Sequence, residues 1–376
     1  MNVVDEYFVK KTDKISFVEL RAGSNIRIRD YTIDDDLPLP IIIDTLIGEI
    51  QKGNIYEEIK VSHIIDGIIF ILGIDTNFKF KEEYVELLYE YEPNIEDYIM
   101  YRGLKYIEAK NLEYGAVFFR SLVNINNKNI NGIFNYALSL ENLSIKFAEK
   151  GETEKSIEFL LESTRRLESI LDISEDFPLA YYKLGYHYKN YEQFIKAKLI
   201  WEKYINMDKD LERIQEIREQ IELIDDDADF EEGVVSLSNG EYSQALEKLL
   251  GLCSKYKEWG NVFYLTGLAY KGLGDYENAI DYFYEAIDLD FQDVNVYNEL
   301  GICLFALGYA NESIDIFNIG IELNHMDYRI IFNRGLVYLQ LGDIEKATED
   351  IETAYRLNPN DAAVGEQFNK LNYKKY

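Results

Sequence analysis

Residues 260–293 read GNVFYLTGLAYKGLGDYENAIDYFYEAIDLDFQD, and residues 294–327 read VNVYNELGICLFALGYANESIDIFNIGIELNHMD. Laid one over the other, Gly267 falls on Gly301, Gly274 on Gly308, Ala279 on Ser313, Phe283 on Phe317 and Ala286 on Gly320. The same columns recur one unit earlier as Gly233, Gly240, Ala245, Leu249 and Leu252, and one unit later as Gly335, Gly342, Ala347, Ile351 and Ala354. Five columns in phase at a period of 34 residues mark a stacked array. Within a unit, apolar residues recur at helical spacing on both sides of the second Gly: Phe263, Tyr264, Thr266 and Tyr270 before it, then Tyr276, Ile280, Phe283 and Ile287. That Gly ends one helix and turns the chain into the next. Small residues at facing positions let two backbones approach, and large ones fill the groove between them. Each unit is thus a helix hairpin that must stack on its neighbours to bury its outer face.

The register continues upstream with interruptions. Residues 178–225 carry Tyr181, Leu184, Gly185, Tyr188, Ala197 and Trp201 but run for 48 residues, and the surplus Leu211–Ile224 is itself an amphipathic segment. Residues 130–177 also run for 48, with Ala137 in the Gly column and Gly151 at the turn; about two extra helical turns on each helix keep the apolar face in phase. Residues 96–129 return to 34, with Gly103, Tyr106, Gly115 and Phe119. Residues 62–95 fit the register as a degenerate hairpin without the small residues, and 362–376 read as a polar-faced capping helix. Residues 1–61 differ. Ile15, Phe17, Val18 and Leu20, a turn at Ala22–Asn25, then Ile26, Ile28, Tyr31 and Ile33 alternate as a β-hairpin or short meander. Asp34–Pro40 reads as a linker, and Ile41–Lys52 as a helix.

The columns resemble the tetratricopeptide repeat (TPR) family: a bulky residue, Leu-Gly, Tyr, a Gly turn, Ala, an aromatic, Ala and a closing Pro, as in Gly335, Tyr338, Gly342, Ala347, Ala354 and Pro359. The resemblance covers 96–361 in seven units: 96–129, 130–177, 178–225, 226–259, 260–293, 294–327 and 328–361. It implies an all-α, right-handed superhelical solenoid of about seven hairpins; the small N-terminal head, read from its alternation as containing a β-hairpin, lies outside the resemblance. It also implies that positions 5 and 9 of each unit point into a concave groove. Here these are Met100, Leu104, Phe134, Leu138, Tyr182, Tyr186, Phe230, Val234, Tyr264, Leu268, Asn298, Ile302, Phe332 and Leu336. The family's chaperone-binding members clamp a carboxylate terminus with Lys and Asn at such positions. With no Lys at any position 5, and Asn298 the one polar residue of the fourteen, that clamp is not expected.

Composition narrows the partner. Lys and Arg number 39 against 69 Asp and Glu, a formal charge of −30 that repels phosphate backbones and anionic lipid heads, so neither nucleic acid nor a membrane is an expected partner. Apolar content of 47%, with 31 Tyr and 20 Phe, is far above that of a disordered acidic tail. Ile64–Ile74 is too short to span a bilayer and contains Asp66, and the first residues carry acid where a signal peptide carries base. Two cysteines, Cys253 and Cys303, make no disulfide framework and read as buried small hydrophobes in a reducing, cytoplasmic setting. Trp201 reads as core, whereas Trp259 lies at a unit junction.

No reacting group emerges. The phosphate-loop, dinucleotide, nucleophile-elbow and zinc-helix signatures are absent, and His63, His187 and His325 lie far apart and read as turn or face residues. Asp225, Asp227 and Asp229 have the first spacing of a calcium loop, but Phe230 and Ser236 stand where Gly and Glu are needed, so these acids read as helix N-caps. Asp34, Asp35 and Asp36 read as solvated. No catalytic residue, cofactor or metal site is expected. The expected function is a scaffold whose apolar, Tyr-rich groove takes a protein or peptide with apolar anchors and basic flanks. Three alternatives stand beside it: a groove closed by its own side chains or by the head, a self-assembling structural protein, and a regulator or enzyme acting through the head.

Overall fold

The protein is described by a computed structural model over residues 2–24, 26–51 and 60–373. Asn25 of the expected turn, Lys52 at the end of the expected helix and 374–376 of the expected cap lie outside the described residues. The described residues are mostly helical and contain no closed sheet. They form two compact units: residues 1–192 with 199–217, and residues 193–198 with 218–376.

In the second unit, α12 (Tyr242–Lys255), α13 (Gly260–Gly272), α14 (Tyr276–Asp288), α15 (Val294–Ala306), α16 (Ala310–Leu323), α17 (Tyr328–Leu341) and α18 (Ile344–Leu357) follow in order, each packed on the next. The last helix, α19 (Ala362–Tyr373), buries Val364 and stacks Phe368 on Tyr355 at 4.3 Å between ring centroids. The contact that sets the helix spacing is the same in each hairpin. A Cβ placed on Gly267 or Gly301 would come closer than 3.0 Å to the ring of Phe283 or Phe317, sixteen residues on, and one on Gly233 would meet Leu249 equally closely. At Gly335 the neighbours are Asp350 Cβ at 3.0 Å and Ile351 at 3.1 Å. Phe283, Phe317, Leu249 and Ile351 are at most 1% exposed. Ser313 ties the layers further by donating to the Gly301 carbonyl at 2.7 Å.

The turns between paired helices demand a left-handed residue. Gly240, Gly274, Gly308 and Gly342 supply it with φ between +76° and +90°. Asp275, Asp293, Asp327 and Asp343 then cap the following helices by accepting backbone N–H bonds, which places a carboxylate at each positive helix end.

The first unit uses the same device with weaker sequence signals. Its helices are α5 (Ile95–Glu108), α6 (Leu112–Ile125), α7 (Ile130–Glu149), α8 (Thr153–Ile173) and α9 (Pro178–Asn190). Gly103 lies under Phe119, and Gly185 under the indole of Trp201. The extra residues of 130–177 lengthen both helices, to 20 residues in α7 and 21 in α8. Ser163 still donates to the Ala137 carbonyl at 2.8 Å, and Leu167 still fills the bulky column, 0% exposed. Lys110 (φ 59°) and Glu192 (φ 57°) make left-handed turns where other units have Gly.

Residues 211–239 depart from the expected boundary. They form one continuous helix, α11, which follows α10 (Phe194–Met207), so the division at 225/226 falls in its middle. Asp225, Asp227 and Asp229 are therefore mid-helix residues, not N-caps. Asp225 pairs with Lys198, Asp229 with Lys248, and Asp226 between them with Lys255; Asp227 is exposed. Lysines on neighbouring helices offset the repulsion between these closely spaced acids.

The head is corrected more substantially. Strand β1 (Ile15–Val18) does not fold back on 26–33. That segment makes its own short ladder, β2 (Arg27–Ile28) with β3 (Tyr31–Thr32), and β1 pairs antiparallel with β4 (Leu39–Ile42). The Asp34–Pro40 stretch is not a solvated linker: Leu37, Leu39, Ile41 and Ile42 are buried and α2 (Ile43–Gln51) follows directly. The cause is α3 (Val61–Ile74), buried along most of its length, with β4 and α6 both packed on it. Gly67 brings its backbone against Pro40, and Gly73 against Val117. Helix α4 (Lys81–Tyr91) completes 62–95.

Buried charge then holds these layers together. Arg120 donates to the carbonyls of Gly73 at 2.9 Å and Ile74 at 3.3 Å, at the C-terminus of α3, and pairs with Asp5 of α1 (Val3–Val9). Asp66 meets Arg102 and the Tyr98 hydroxyl, and its burial pushes the carboxyl upward against the pull of Arg102. Glu113 bridges Lys11 and Lys146; burial works against its ionisation, yet the two ammonium groups hold it down at about 2.

Gly301→Ala should destabilise the protein by about 1–3 kcal/mol, the cost of an overpacked core. Gly251→Ala, within α12 with nothing in reach of the new Cβ, should stabilise by up to about 1 kcal/mol; denaturant midpoints check both. Because the Glu113 value is depressed, its contribution is full above pH 4.5 and disappears as pH falls toward 2. Amide protection of residues 3–14 should fall through that window, and Glu113→Gln should lower the protection at neutral pH and remove the pH step.

Candidate functional site

The first helices of the second unit carry eight of the fourteen expected groove positions, and the environments of these eight differ. Val234, Leu268, Ile302, Phe332 and Leu336 are half-buried. Phe230 stacks on Trp259 at 4.8 Å, and Tyr264 on Phe291 at 5.5 Å, so an aromatic from the loop before the next unit braces each ring. The Tyr264 hydroxyl is pushed up by burial and by the nearby carboxylates of Glu299 and Asp293. Asn298, the one polar residue among the expected groove positions, is buried at 8% exposure. It donates to Glu299 at 3.1 Å and accepts from Asn333 at 2.8 Å, while Lys271 pairs with the same Glu299. A polar chain, Lys271–Glu299–Asn298–Asn333, therefore links α13, α15 and α17 beside the apolar positions.

In the first unit, Met100, Phe134, Leu138, Tyr182 and Tyr186 are half-buried and Leu104 is exposed. Phe134 meets Phe177 edge-on at 5.2 Å. Tyr182 and Tyr186 contact each other at 5.3 Å, and both hydroxyls donate to Glu216 from the surplus segment before residue 225. Burial first, then that carboxylate, pushes both phenols upward. The head meets the array elsewhere: Tyr7 packs on Phe147 and Phe159, and Phe8 on Tyr136, none of them among the fourteen.

Glu216, Glu299, Lys271 and Asn333 went unnoticed in the sequence because the unit register does not mark them. The bracing aromatics Phe177, Trp259 and Phe291 did leave a signal, since each stands within three residues of the start of the next first helix.

The reactive residue types are dispersed. Among the described residues, no group of three or more His, Cys, Asp and Glu could hold a metal ion. His63 and His187 are buried, not turn or face residues as expected, while His325 is exposed in a loop. His187 Nδ1, on α9, lies 2.8 Å from Thr164 Oγ1 of α8. Cys253 and Cys303 are free and buried, and burial raises both thiols, Cys303 to about 12, away from reactivity. The second unit also has open clefts. One of about 240 Å³ is lined by Leu237, Tyr242, Leu268, Lys271 and Gly272 and so reaches a groove position. Another, of about 380 Å³, opens between the end of α12 and α14. Among the described residues no helix is long and apolar enough to cross a membrane.

Residues 261–293 and 328–361 each match a family model for the tetratricopeptide repeat. Those two segments are tetratricopeptide repeats. No curated protein matches the chain. Among solved structures, the chain is similar to MamA at 21% identity, over 38% of this chain and 84% of that one, with a TM-score of 0.36. It is similar to the first TPR of Spaghetti (RPAP3), solved bound to the HSP90 peptide SRMEEVD, at 22% identity, over 31% and 94%, with a TM-score of 0.30. It is also similar to YrrB, described as a TPR protein with an unusual peptide-binding site, at 18% identity, over 67% and 97%, with a TM-score of 0.28. The repeats 261–293 and 328–361 bracket the 294–327 hairpin, whose packing repeats theirs element for element.

Proposed function

We propose that the chain is a non-catalytic scaffold that holds a peptide segment of another protein on the first helices of its second unit, within a repeat array spanning 96–361 and a cytoplasmic setting. The observation that carries the reading is the half-exposed apolar set Val234, Leu268, Ile302 and Leu336, set among side chains whose charges are already matched internally. Residues 261–361 hold 18 Asp and Glu against 5 Lys and Arg. Lys271, Arg329, Arg334 and Lys346 are each paired with a carboxylate, and Arg356 donates to Thr353 and to the Glu352 carbonyl. These five cations are therefore engaged, with none spare for an acidic ligand, and the acidic excess of 261–361 as a whole favours a basic one. Apolar anchors supply binding energy by burial, and basic flanks supply orientation and a fast encounter. The six first-unit positions are a weaker surface for a ligand, since Glu216 already holds Tyr182 and Tyr186.

Selection of random dodecapeptides on the full chain tests this. The selected peptides should carry aromatic or aliphatic anchors beside Lys or Arg. Leu268→Glu and Leu336→Glu should each weaken them by about tenfold or more while the thermal transition stays in place. Selection of no peptide, or binding untouched by both substitutions, would refute the reading.

A further inference from the structure

The cleft of about 380 Å³ in the second unit has a chemistry distinct from the apolar positions 5 and 9. It lies on the second-helix side. Phe263 and Tyr282 give it an aromatic wall, their rings 6.1 Å apart, and Tyr282 is itself stacked on Tyr270 at 5.3 Å. Asp281 and Glu285, one helical turn apart on α14, line it together with Lys257 and Ser254. Both carboxylates are exposed, and among the described residues neither has an ion-pair or hydrogen-bond partner; Lys257 is equally unengaged.

Helix α14 shows why the two carboxylates call for a partner. It carries Glu277, Asp281, Glu285 and Asp288 and no Lys or Arg. Glu277/Asp281 and Asp281/Glu285 are like charges at i,i+4, a spacing that costs helix stability where nothing neutralises it. Elsewhere in this unit, carboxylates crowded on one helix are matched from the next, as Asp225, Asp226 and Asp229 are by three lysines.

We propose that this cleft receives an arginine side chain of a protein partner, separately from the peptide on the first helices. A guanidinium is flat enough to lie against Tyr282 and Phe263 while its fork faces Asp281 and Glu285, and it sheds water more easily than an ammonium. Lys257, lining the same cleft, opposes this ligand and limits its affinity.

The test uses the full chain at low ionic strength and a fluorescent alanine-based peptide bearing two arginines, beside a twin with citrulline in their place. Asp281→Asn with Glu285→Gln should weaken the arginine peptide about tenfold. Glu312→Gln with Asp315→Asn, which removes two exposed carboxylates from α16, should change it by less than about twofold. Lys257→Ala should strengthen binding about threefold, and the citrulline twin should not bind. Equal losses from the two double variants would reduce the effect to diffuse attraction by an acidic protein and overturn the proposal. So would an arginine peptide that does not bind, or a citrulline twin that binds as well. Loss of the arginine peptide with the Leu268→Glu chain unaffected separates this cleft from the first-helix surface.

Discussion

The repeat geometry depends on a missing side chain. Where a first helix passes its partner it presents Gly103, Gly185, Gly233, Gly267, Gly301 or Gly335, and the residue sixteen positions later fills the space a Cβ would occupy. That contact sets the separation of the two helices, and from it follow the turn residue, the cap at the next helix and the face left outward. The filling residue varies from Trp201 through Phe119, Phe283 and Phe317 to Leu249 and Ile351 without loosening, because each is fully buried. A close-packed interior tolerates different shapes when volume is conserved at a fixed site. The long α7–α8 hairpin obeys the same constraint: Ser163 and Leu167 keep the offsets of Ser313 and Phe317 after insertion.

This contact explains which parts of the fold were legible in the sequence. Column residues repeat because one geometry repeats, so the hairpins from 226 onward could be read from Gly spacing alone. Upstream the signal faded where chemistry was substituted without a change of geometry, as at Lys110 and Glu192 in left-handed turns. The run 211–239 failed for a different reason. A register assigns boundaries by counting, whereas α11 runs straight through the counted boundary, its acids paired with lysines of neighbouring helices in contacts between distant positions. The head failed more completely, since alternation of Ile15, Phe17, Ile26 and Ile28 indicates strands but not which strands pair. The pairing of β1 with β4 goes with the largely apolar α3, against which the buried strand Leu39–Ile42 packs, from a stretch that reads as linker.

The candidate surface was legible as positions and not as environments. Counting to positions 5 and 9 finds side chains on the first helices, and most are half-buried, but it does not distinguish Leu268, which borders a cleft, from Asn298, which is locked between Glu299 and Asn333. Nor does it reveal that Glu216 occupies Tyr182 and Tyr186. A carboxylate's effect depends on what faces it: the same charged group caps α14 at Asp275, clasps two tyrosines at Glu216 and stands unmatched at Asp281. The acidic excess of the chain is thus partly structural and partly unspent, and the unspent part defines the partner chemistry proposed for the second unit.

The dependence of the array on the Gly–bulky contact is tested most directly by a double-mutant cycle at Gly267 and Phe283, with unfolding free energies of Gly267→Ala, Phe283→Ala and the pair measured on the full chain. Removal of the ring leaves the space that the new Cβ needs, so the pair should be less destabilised than the sum of the single variants by about 1 kcal/mol or more. Additive losses would mean that the two residues contribute independently and that the helix spacing is set by something else.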